Sequence, residues 1–215
     1  MVNIAVLVSG GGTNLQALID AQKARKLTSG RLSLVVSSKE GALALTRAKD
    51  AGIETAVLLK TDSPQAYGEA LIALLNAHDI DMLVLAGFML ILHENVIRAY
   101  EGRILNVHPS LIPAFCGAGY YGLKVHKAAL SYGVKVTGAT VHLVNEIPDG
   151  GTILAQKAVK VKKNDTPESL QKRVMEKAEW ALLPRETEKL AKKLAKDRRA
   201  GRPQSFRERT EGGDA

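Results

Sequence analysis

Short apolar runs alternate with amphipathic segments along the first half of the chain. Residues 2–8 are almost entirely β-branched or apolar, and similar runs occupy residues 32–37, 55–59 and 82–86. The segments between them repeat apolar side chains at i, i+3 and i+4, which predicts helices. Apolar strands that alternate with helices are typical of a parallel sheet buried on both faces. The pattern therefore predicts an α/β fold with a doubly wound, mostly parallel sheet flanked by helices.

The second half of the chain continues this alternation with fewer helices. Further strands are predicted at residues 104–108, 135–143 and 153–161, and further helices near residues 125–130 and from Pro167 onward. Pro184 lies inside the last helix, and because proline removes a backbone donor we expect it to interrupt that helix. A chain of 215 residues fits one domain, which we assign to residues 1–200. Residues 201–215 are expected to form a basic, disordered tail.

The position of the charge is more informative than its sum. The formal net charge is +8, but residues 189–209 hold nine Lys or Arg against two acids and so carry +7 of it. We interpret this segment as a solvated helix end and tail, and expect no nucleic-acid partner. The apolar runs are far shorter than the roughly 20 residues of a membrane span. With one cysteine, Cys116, and no charged leader, we expect a soluble, cytoplasmic protein without membrane contact.

A glycine-rich turn follows the first predicted strand. Residues 9–14 read SGGGTN and lead directly into the first helix. Glycines let backbone N–H groups approach an anion, and a helix N-terminus adds unpaired donors and a positive dipole end. The spacing is not the G-x-G-x-x-G dinucleotide fingerprint, and no Gly-Lys-Ser/Thr follows as in nucleoside-triphosphate loops. We therefore favour a site for a smaller phosphate over a tight turn without a ligand.

A second polar group stands on the predicted strand at residues 104–108. Asn106 and His108 are two residues apart, so they point to the same side of the sheet, and a proline-rich loop follows. Asn106 can donate to a developing oxyanion, and His108 can donate or shuttle a proton. Asp149, on a later glycine-rich turn, could orient the imidazole and hold it protonated, or pass protons through a water. Since Ser110 lacks the setting of a catalytic serine, this set implies direct transfer between two bound substrates.

The other four histidines receive a structural interpretation. His78 and His93 fall at predicted helix ends, His126 on a helix face and His142 inside a strand. Their spacing is not that of metal ligands, and one cysteine cannot form a multi-cysteine site. No metal is therefore expected.

Four longer motifs carry a resemblance to a known family. They read VLVSGGGTNLQALI, LAGFMLIL, ILNVHPSLIPAF and GATVHLVNEIPDGGTILAQ. On these motifs, from about residue 3 to residue 184, the chain resembles the phosphoribosylglycinamide formyltransferases, folate-dependent enzymes of purine synthesis. The resemblance implies a Rossmann-like formyltransferase fold and a formyl group that passes from 10-formyltetrahydrofolate to the amine of phosphoribosylglycinamide. It also implies that Asn106, His108 and Asp149 are the catalytic residues.

The same resemblance assigns the two ligands to separate residues. The phosphate and ribose of the substrate would be held by Gly11, Gly12, Thr13, Asn14 and Glu179. The folate co-substrate would contact Phe88, Met89, Leu90, Leu92, Asn145, Glu146 and Asp149. A cis bond between Ile112 and Pro113 is also implied. The chain departs from the family pattern at Leu90, where many members have arginine, and in a longer loop at residues 117–126.

Two related activities and one unrelated class remain as alternatives. Methionyl-tRNA formyltransferase shares the asparagine, histidine and proline loop but carries a further strand-rich C-terminal domain. Formyltetrahydrofolate hydrolase has the same core and an extra N-terminal regulatory domain. A phosphate-sensing or RNA-binding module would leave Asn106 and Asp149 unexplained. We expect small-molecule substrates and a monomer or homodimer.

Overall fold

Seven strands form one sheet, and helices connect most of them. The computed structural model describes residues 1–201. The strands are β1 (Val2–Val8), β2 (Gly30–Ser37), β3 (Glu54–Val57), β4 (Met82–Leu85), β5 (Ile104–His108), β6 (Val136–Leu143) and β7 (Ile153–Lys160). The helices are α1 (Thr13–Lys23), α2 (Leu43–Asp50), α3 (Pro64–Ala77), α4 (Glu94–Ala99), α5 (Leu123–Tyr132), α6 (Pro167–Val174) and α7 (Trp180–Arg199).

The predicted doubly wound, mostly parallel sheet is confirmed. Its strand order is β3-β2-β1-β4-β5-β6-β7, with parallel pairing from β3 to β5 and antiparallel pairing of β5 with β6 and of β6 with β7. The chain first adds strands outward from β1 and then returns to place β4 on the other side of β1. Open α/β sheets bind ligands at the carboxyl ends of the strands beside such a reversal.

Both faces of the sheet are covered, as the unbroken apolar strands require. Along β1, Ile4 and Val6 pack into a core shared with α1, α2, α6 and α7. Ala5 and Leu7 point to the opposite face, where α3 and α4 supply the packing. All four side chains are completely buried, because successive residues of a strand alternate between the faces.

The prediction for the last helix is wrong at Pro184. This residue does not interrupt the helix, and lies in the second turn of α7. A π-helical turn, Met175–Glu179, directly precedes α7. A proline ring clashes with the carbonyl four residues earlier, here that of Trp180, and the wider π turn changes the backbone path just before that point. The sequence interpretation considered the missing N–H of Pro184 but did not predict the π turn before it.

Residues 202–215 lie outside the described residues, so the disordered basic tail remains a prediction, as does the assignment of residues 1–200 to one domain. Within residues 1–201, no helix combines the length and the apolar character that crossing a membrane would require.

Candidate active site

A cleft of about 450 Å³ opens at the carboxyl ends of the central strands. Its wall is formed by the turn after β1, the loop after β4, the end of β5, the loop before α5 and the turn between β6 and β7. Every residue predicted for catalysis, phosphate binding or folate binding lines this cleft. The fold thus brings together residues that are up to 168 positions apart in the chain.

At one end of the cleft, the glycine turn delivers the start of α1. Gly12 is the N-cap residue of α1, with φ at 73°, a left-handed conformation that favours glycine. A Cβ at this position would lie 2.7 Å from the Cα and Cβ atoms of Ala44, so α2 leaves no room for a side chain. Because the first N–H groups of a helix have no intrahelical partner, this end offers backbone donors to an anion.

Glu179 lies beside this turn and is almost completely buried. Asn14 Nδ2 donates to Glu179 Oε2 at 2.6 Å, which joins the start of α1 to the π turn before α7. Burial raises the pKa of Glu179 to about 7, and the hydrogen bond from Asn14 opposes that rise. The carboxyl group therefore carries little negative charge below neutral pH, which limits its repulsion of a nearby anion.

At the other end of the cleft, the three predicted catalytic side chains lie in contact. His108 Nδ1 is 3.3 Å from Asp149 Oδ2, and Asn106 Nδ2 is 3.4 Å from Asp149 Oδ1. Asp149 has φ at 56°, so the turn bends back and carries its carboxylate toward β5. The backbone N–H of Gly117 donates to Asp149 Oδ2 at 2.8 Å. We call these three residues the catalytic cluster.

The charge states of the cluster follow from burial and from its partners. Burial raises the pKa of Asp149, but His142, His108 and the Gly117 N–H outweigh burial and lower it overall. Burial lowers the pKa of His108 more than Asp149 and the Phe115 carbonyl raise it. His108 Nε2 lies 2.8 Å from that carbonyl oxygen. The neutral imidazole has one N–H but lies beside two acceptors, Asp149 and the Phe115 carbonyl. His108 therefore gains a hydrogen bond when it accepts a proton.

Known proteins resemble this chain in sequence and in fold. The profile of the family described as formyl transferase matches residues 2–186. The chain belongs to the formyl transferase family. It is 42% identical over 185 residues to phosphoribosylglycinamide formyltransferase of Escherichia coli (strain K12), covering 85% of this chain and 84% of that relative.

Two further comparisons place the chain within the formyl transferase family. It is 44% identical over 177 residues to the trifunctional purine biosynthetic protein adenosine-3 of Gallus gallus, covering 81% of this chain but only 17% of the length of that relative. Glycinamide ribonucleotide transformylase 1 from Symbiobacterium toebii superimposes with a TM-score of 0.82 at 38% identity, over 92% of this chain and 89% of the other. The Ile112–Pro113 peptide bond is cis, as the family resemblance implied.

The structural interpretation of His142 is incomplete. His142 does lie in β6, but its Nε2 is 3.1 Å from Asn106 Nδ2 and 3.6 Å from Asp149 Oδ1. Its Nδ1 lies 2.9 Å from the carbonyl oxygen of Leu143. The signal that could have found His142 is the antiparallel register that pairs it with Asn106.

The remaining histidines follow the sequence interpretation. His78 is the C-cap residue of α3, and His93 is the N-cap residue of α4. His126 lies on α5 and is completely buried. Burial first, and then the nearby His108, lower the pKa of His126 to about 4. Within residues 1–201, no group of three or more His, Cys, Asp or Glu side chains could hold a metal ion.

The predicted folate residues contribute both apolar and polar side chains to the lining of the cleft. Met89, which is one of them, and Ile147, which was not predicted, expose 45% and 65% of their surface, which leaves apolar surface free for a ligand. Leu90 packs against the core on the α3 and α4 face. The loop before α5 also lines the cleft, through residues 117–122.

Proposed function

We propose that the protein transfers the formyl group of 10-formyltetrahydrofolate to the amine of phosphoribosylglycinamide, a step of de novo purine synthesis. One observation carries the proposal: a single cleft has backbone anion donors at one end and the catalytic cluster at the other. A substrate with a phosphate at one end and an amine at the other suits this layout. Membership of the formyl transferase family supports the same reaction class.

In this proposal, the phosphate binds at the start of α1. Gly11, Gly12, Thr13 and Asn14 supply the donors, and Glu179 contacts the ribose or glycinamide part of the substrate. The folate co-substrate lies between the loop after β4 and the turn that carries Asp149. Its contacts are Phe88, Met89, Leu90, Leu92, Asn145, Glu146 and Asp149.

The chemical step begins when the neutral amine of phosphoribosylglycinamide attacks the formyl carbon. A tetrahedral intermediate forms, and its oxyanion accepts hydrogen bonds from Asn106 and from His108 Nε2–H, which exchanges the Phe115 carbonyl for the oxyanion. The 3.4 Å bond from Asn106 Nδ2 to Asp149 is the longer of its two contacts, and is the one exchanged for the oxyanion. Because donors are already present for the oxyanion, the proposed step needs no metal.

Proton transfer completes the reaction. The attacking nitrogen loses one proton, and N10 of the folate gains one as its bond to the formyl carbon breaks. His108 is suited to carry this proton, because protonation lets it donate to both Asp149 and the Phe115 carbonyl. The products are the N-formyl amide and tetrahydrofolate.

Initial rates with three acceptors test this proposal. The protein is incubated with 10-formyltetrahydrofolate and either phosphoribosylglycinamide, methionyl-tRNA or water alone, and tetrahydrofolate release is followed. We expect rapid turnover only with phosphoribosylglycinamide. Faster formylation of methionyl-tRNA, or release of formate at the same rate without an acceptor, would replace the proposed substrate by one of the alternatives.

A further inference from the structure

A second cavity, of about 800 Å³, lies between α1 and the first half of α7. We call it the α1/α7 groove, defined by residues 13–26 on one side and residues 180–189 on the other. Thr13 is the single residue of the described chain that lines both this groove and the catalytic cleft. Apart from Thr13, the groove shares no residue with the proposed substrate sites, and its volume is in the size range of ligand pockets.

One end of the groove presents an aromatic surface. Trp180 lines it and exposes 37% of its surface. The neighbouring walls are apolar, with Ala17 and Ala21 on α1 and Ala181 and Pro184 on α7. An exposed indole with apolar neighbours favours a planar ring, because heteroaromatic rings stack on indole and leave water.

The other end of the groove carries positive charge. Lys26, Arg185 and Lys189 line it, and Lys26 forms no ion pair with any residue from 1 to 201. Arg185 and Lys189 share one carboxylate oxygen, Glu186 Oε1, at 2.8 and 3.0 Å. In the described chain, the groove lining holds four cations, these three and Arg47, against the two carboxylates of Asp20 and Glu188, and this surplus of positive charge complements an anion.

The acidic residues of the groove are already occupied by hydrogen bonds. The Glu188 carboxylate accepts four of them, from the backbone N–H and hydroxyl groups of Thr28 and Ser29. Asp20 accepts from Gln16 at 2.9 Å. Among the described residues, neither carboxylate therefore forms an ion pair with Lys26, Arg185 or Lys189.

The spacing of the two ends defines the length of the ligand. Along the axis of α7, Arg185 is about 8 Å and Lys189 about 14 Å from Trp180, at 1.5 Å per residue. A ligand that reaches both ends would combine a planar ring with an anion held at a distance by a linker. A nucleoside monophosphate has this form, since its ribose separates the base from the phosphate.

We propose that the α1/α7 groove binds a nucleoside monophosphate, with the base on Trp180 and the phosphate on Lys26, Arg185 and Lys189. Trp180 is the single tryptophan of the chain, so its fluorescence reports directly on the groove. The site is separate from the cleft proposed for formyl transfer, and its test does not depend on that activity.

The test titrates the full-length protein with AMP and follows the emission of Trp180. We expect a saturable change with AMP, and affinity at least tenfold weaker for adenosine and for ribose 5-phosphate, because each lacks one of the two contacts. No saturable change, or equal affinity for AMP and adenosine, would overturn the proposal. The titration is repeated with saturating phosphoribosylglycinamide, and loss of the AMP signal would place AMP in the catalytic cleft instead.

Two lysine variants locate the site. Lys26→Ala should weaken AMP binding about fivefold or more, because it removes a phosphate contact. Lys23→Ala is the matched control: Lys23 is the last residue of α1, three positions before Lys26, and does not line the groove, so the AMP affinity of this variant should match the wild type. Both variants should retain the wild-type melting temperature and formyl-transfer rate. Unchanged AMP affinity in Lys26→Ala would contradict the proposal.

Discussion

The two ends of the catalytic cleft are built from different kinds of atoms. The phosphate end presents the backbone of a few consecutive residues, the glycine turn and the first turn of α1. The catalytic end presents side chains from β5 and from the turn after β6, and Asn106 and Asp149 are 43 residues apart. The phosphate end therefore depends on local backbone geometry, whereas the catalytic end forms only when distant segments of the chain fold together.

This difference determines how each end can be disrupted. Backbone donors survive most side-chain substitutions, so only changes in turn geometry should weaken the phosphate end. The catalytic cluster depends on individual side chains, and removal of one leaves its partners buried without their bond. We therefore expect large effects on kcat at the catalytic end and smaller effects on KM at the phosphate end.

The largest effect is expected at the catalytic cluster. His108→Ala and Asp149→Asn should each lower kcat by about 10²–10⁴, because they remove proton transfer or the group that orients it. Asparagine tolerates the left-handed backbone of Asp149, so the turn should remain folded. Steady-state rates measure the effect, with the melting temperature as control. Near-normal turnover in either variant would remove that residue from the proposed mechanism.

Glu179 gives the phosphate end a distinctive pH dependence of stability. The native protein holds a proton on Glu179 up to about pH 7, whereas the unfolded chain releases it near 4.5. The stabilisation from protonated Glu179 is therefore present below pH 4.5 and lost as pH rises through 7. It changes the free energy of unfolding by about 3 kcal/mol. Glu179→Gln should be relatively more stable at pH 8 than at pH 5, by denaturant unfolding. A constant difference between the variants would show that Glu179 ionises normally.

His126, behind the catalytic cluster, should act in the opposite direction. Its native pKa of about 4 lies below the ordinary 6.5, so its contribution is present above pH 6.5 and lost as pH falls through 4. This loss amounts to about 3 kcal/mol. Neither ring nitrogen finds a hydrogen-bond partner among residues 1–201, so His126→Leu should remove this slope without breaking a bond. If the variant and the wild type lose stability equally between pH 7 and pH 4, another group causes acid unfolding.

The smallest effect is expected from the glycine turn. Gly12→Ala should raise KM for phosphoribosylglycinamide by about tenfold with little change in kcat, because strain at a positive φ and the contact of the new Cβ with Ala44 shift the donors. Gly10→Ala is a matched control for folding, since its Cβ meets no atom within 4 Å. If Gly12→Ala lowered kcat as much as His108→Ala does, the proposal that the phosphate end affects mainly KM would be contradicted.

The phosphate end could be predicted because its signal is continuous in sequence. Residues 9–14 follow a buried strand and precede a helix, and backbone geometry alone converts this order into a site. The parallel half of the sheet could be predicted for the same reason. Asn106 and His108 could be paired from strand alternation, whereas Asp149 was joined to them by the chemistry that its glycine-rich turn permits and then by the family resemblance.

The parts that escaped prediction depend on packing or register. His142 reaches Asn106 only through the antiparallel pairing of β5 with β6, which no local pattern specifies. Pro184 stays within α7 because of the π turn before it, and apolar spacing does not distinguish a π turn from an α turn. The backbone partners of the cluster, the Phe115 carbonyl and the Gly117 N–H, carry no side-chain signal at all.

A crystal structure with phosphoribosylglycinamide bound tests the central claim most directly, because it shows which end of the cleft holds which end of the substrate. We expect the phosphate to accept hydrogen bonds from backbone N–H groups of Gly12, Thr13 or Asn14, and the amine to face Asn106 and His108. A phosphate bound beside Phe88 and Met89, or an amine directed away from the catalytic cluster, would contradict the account.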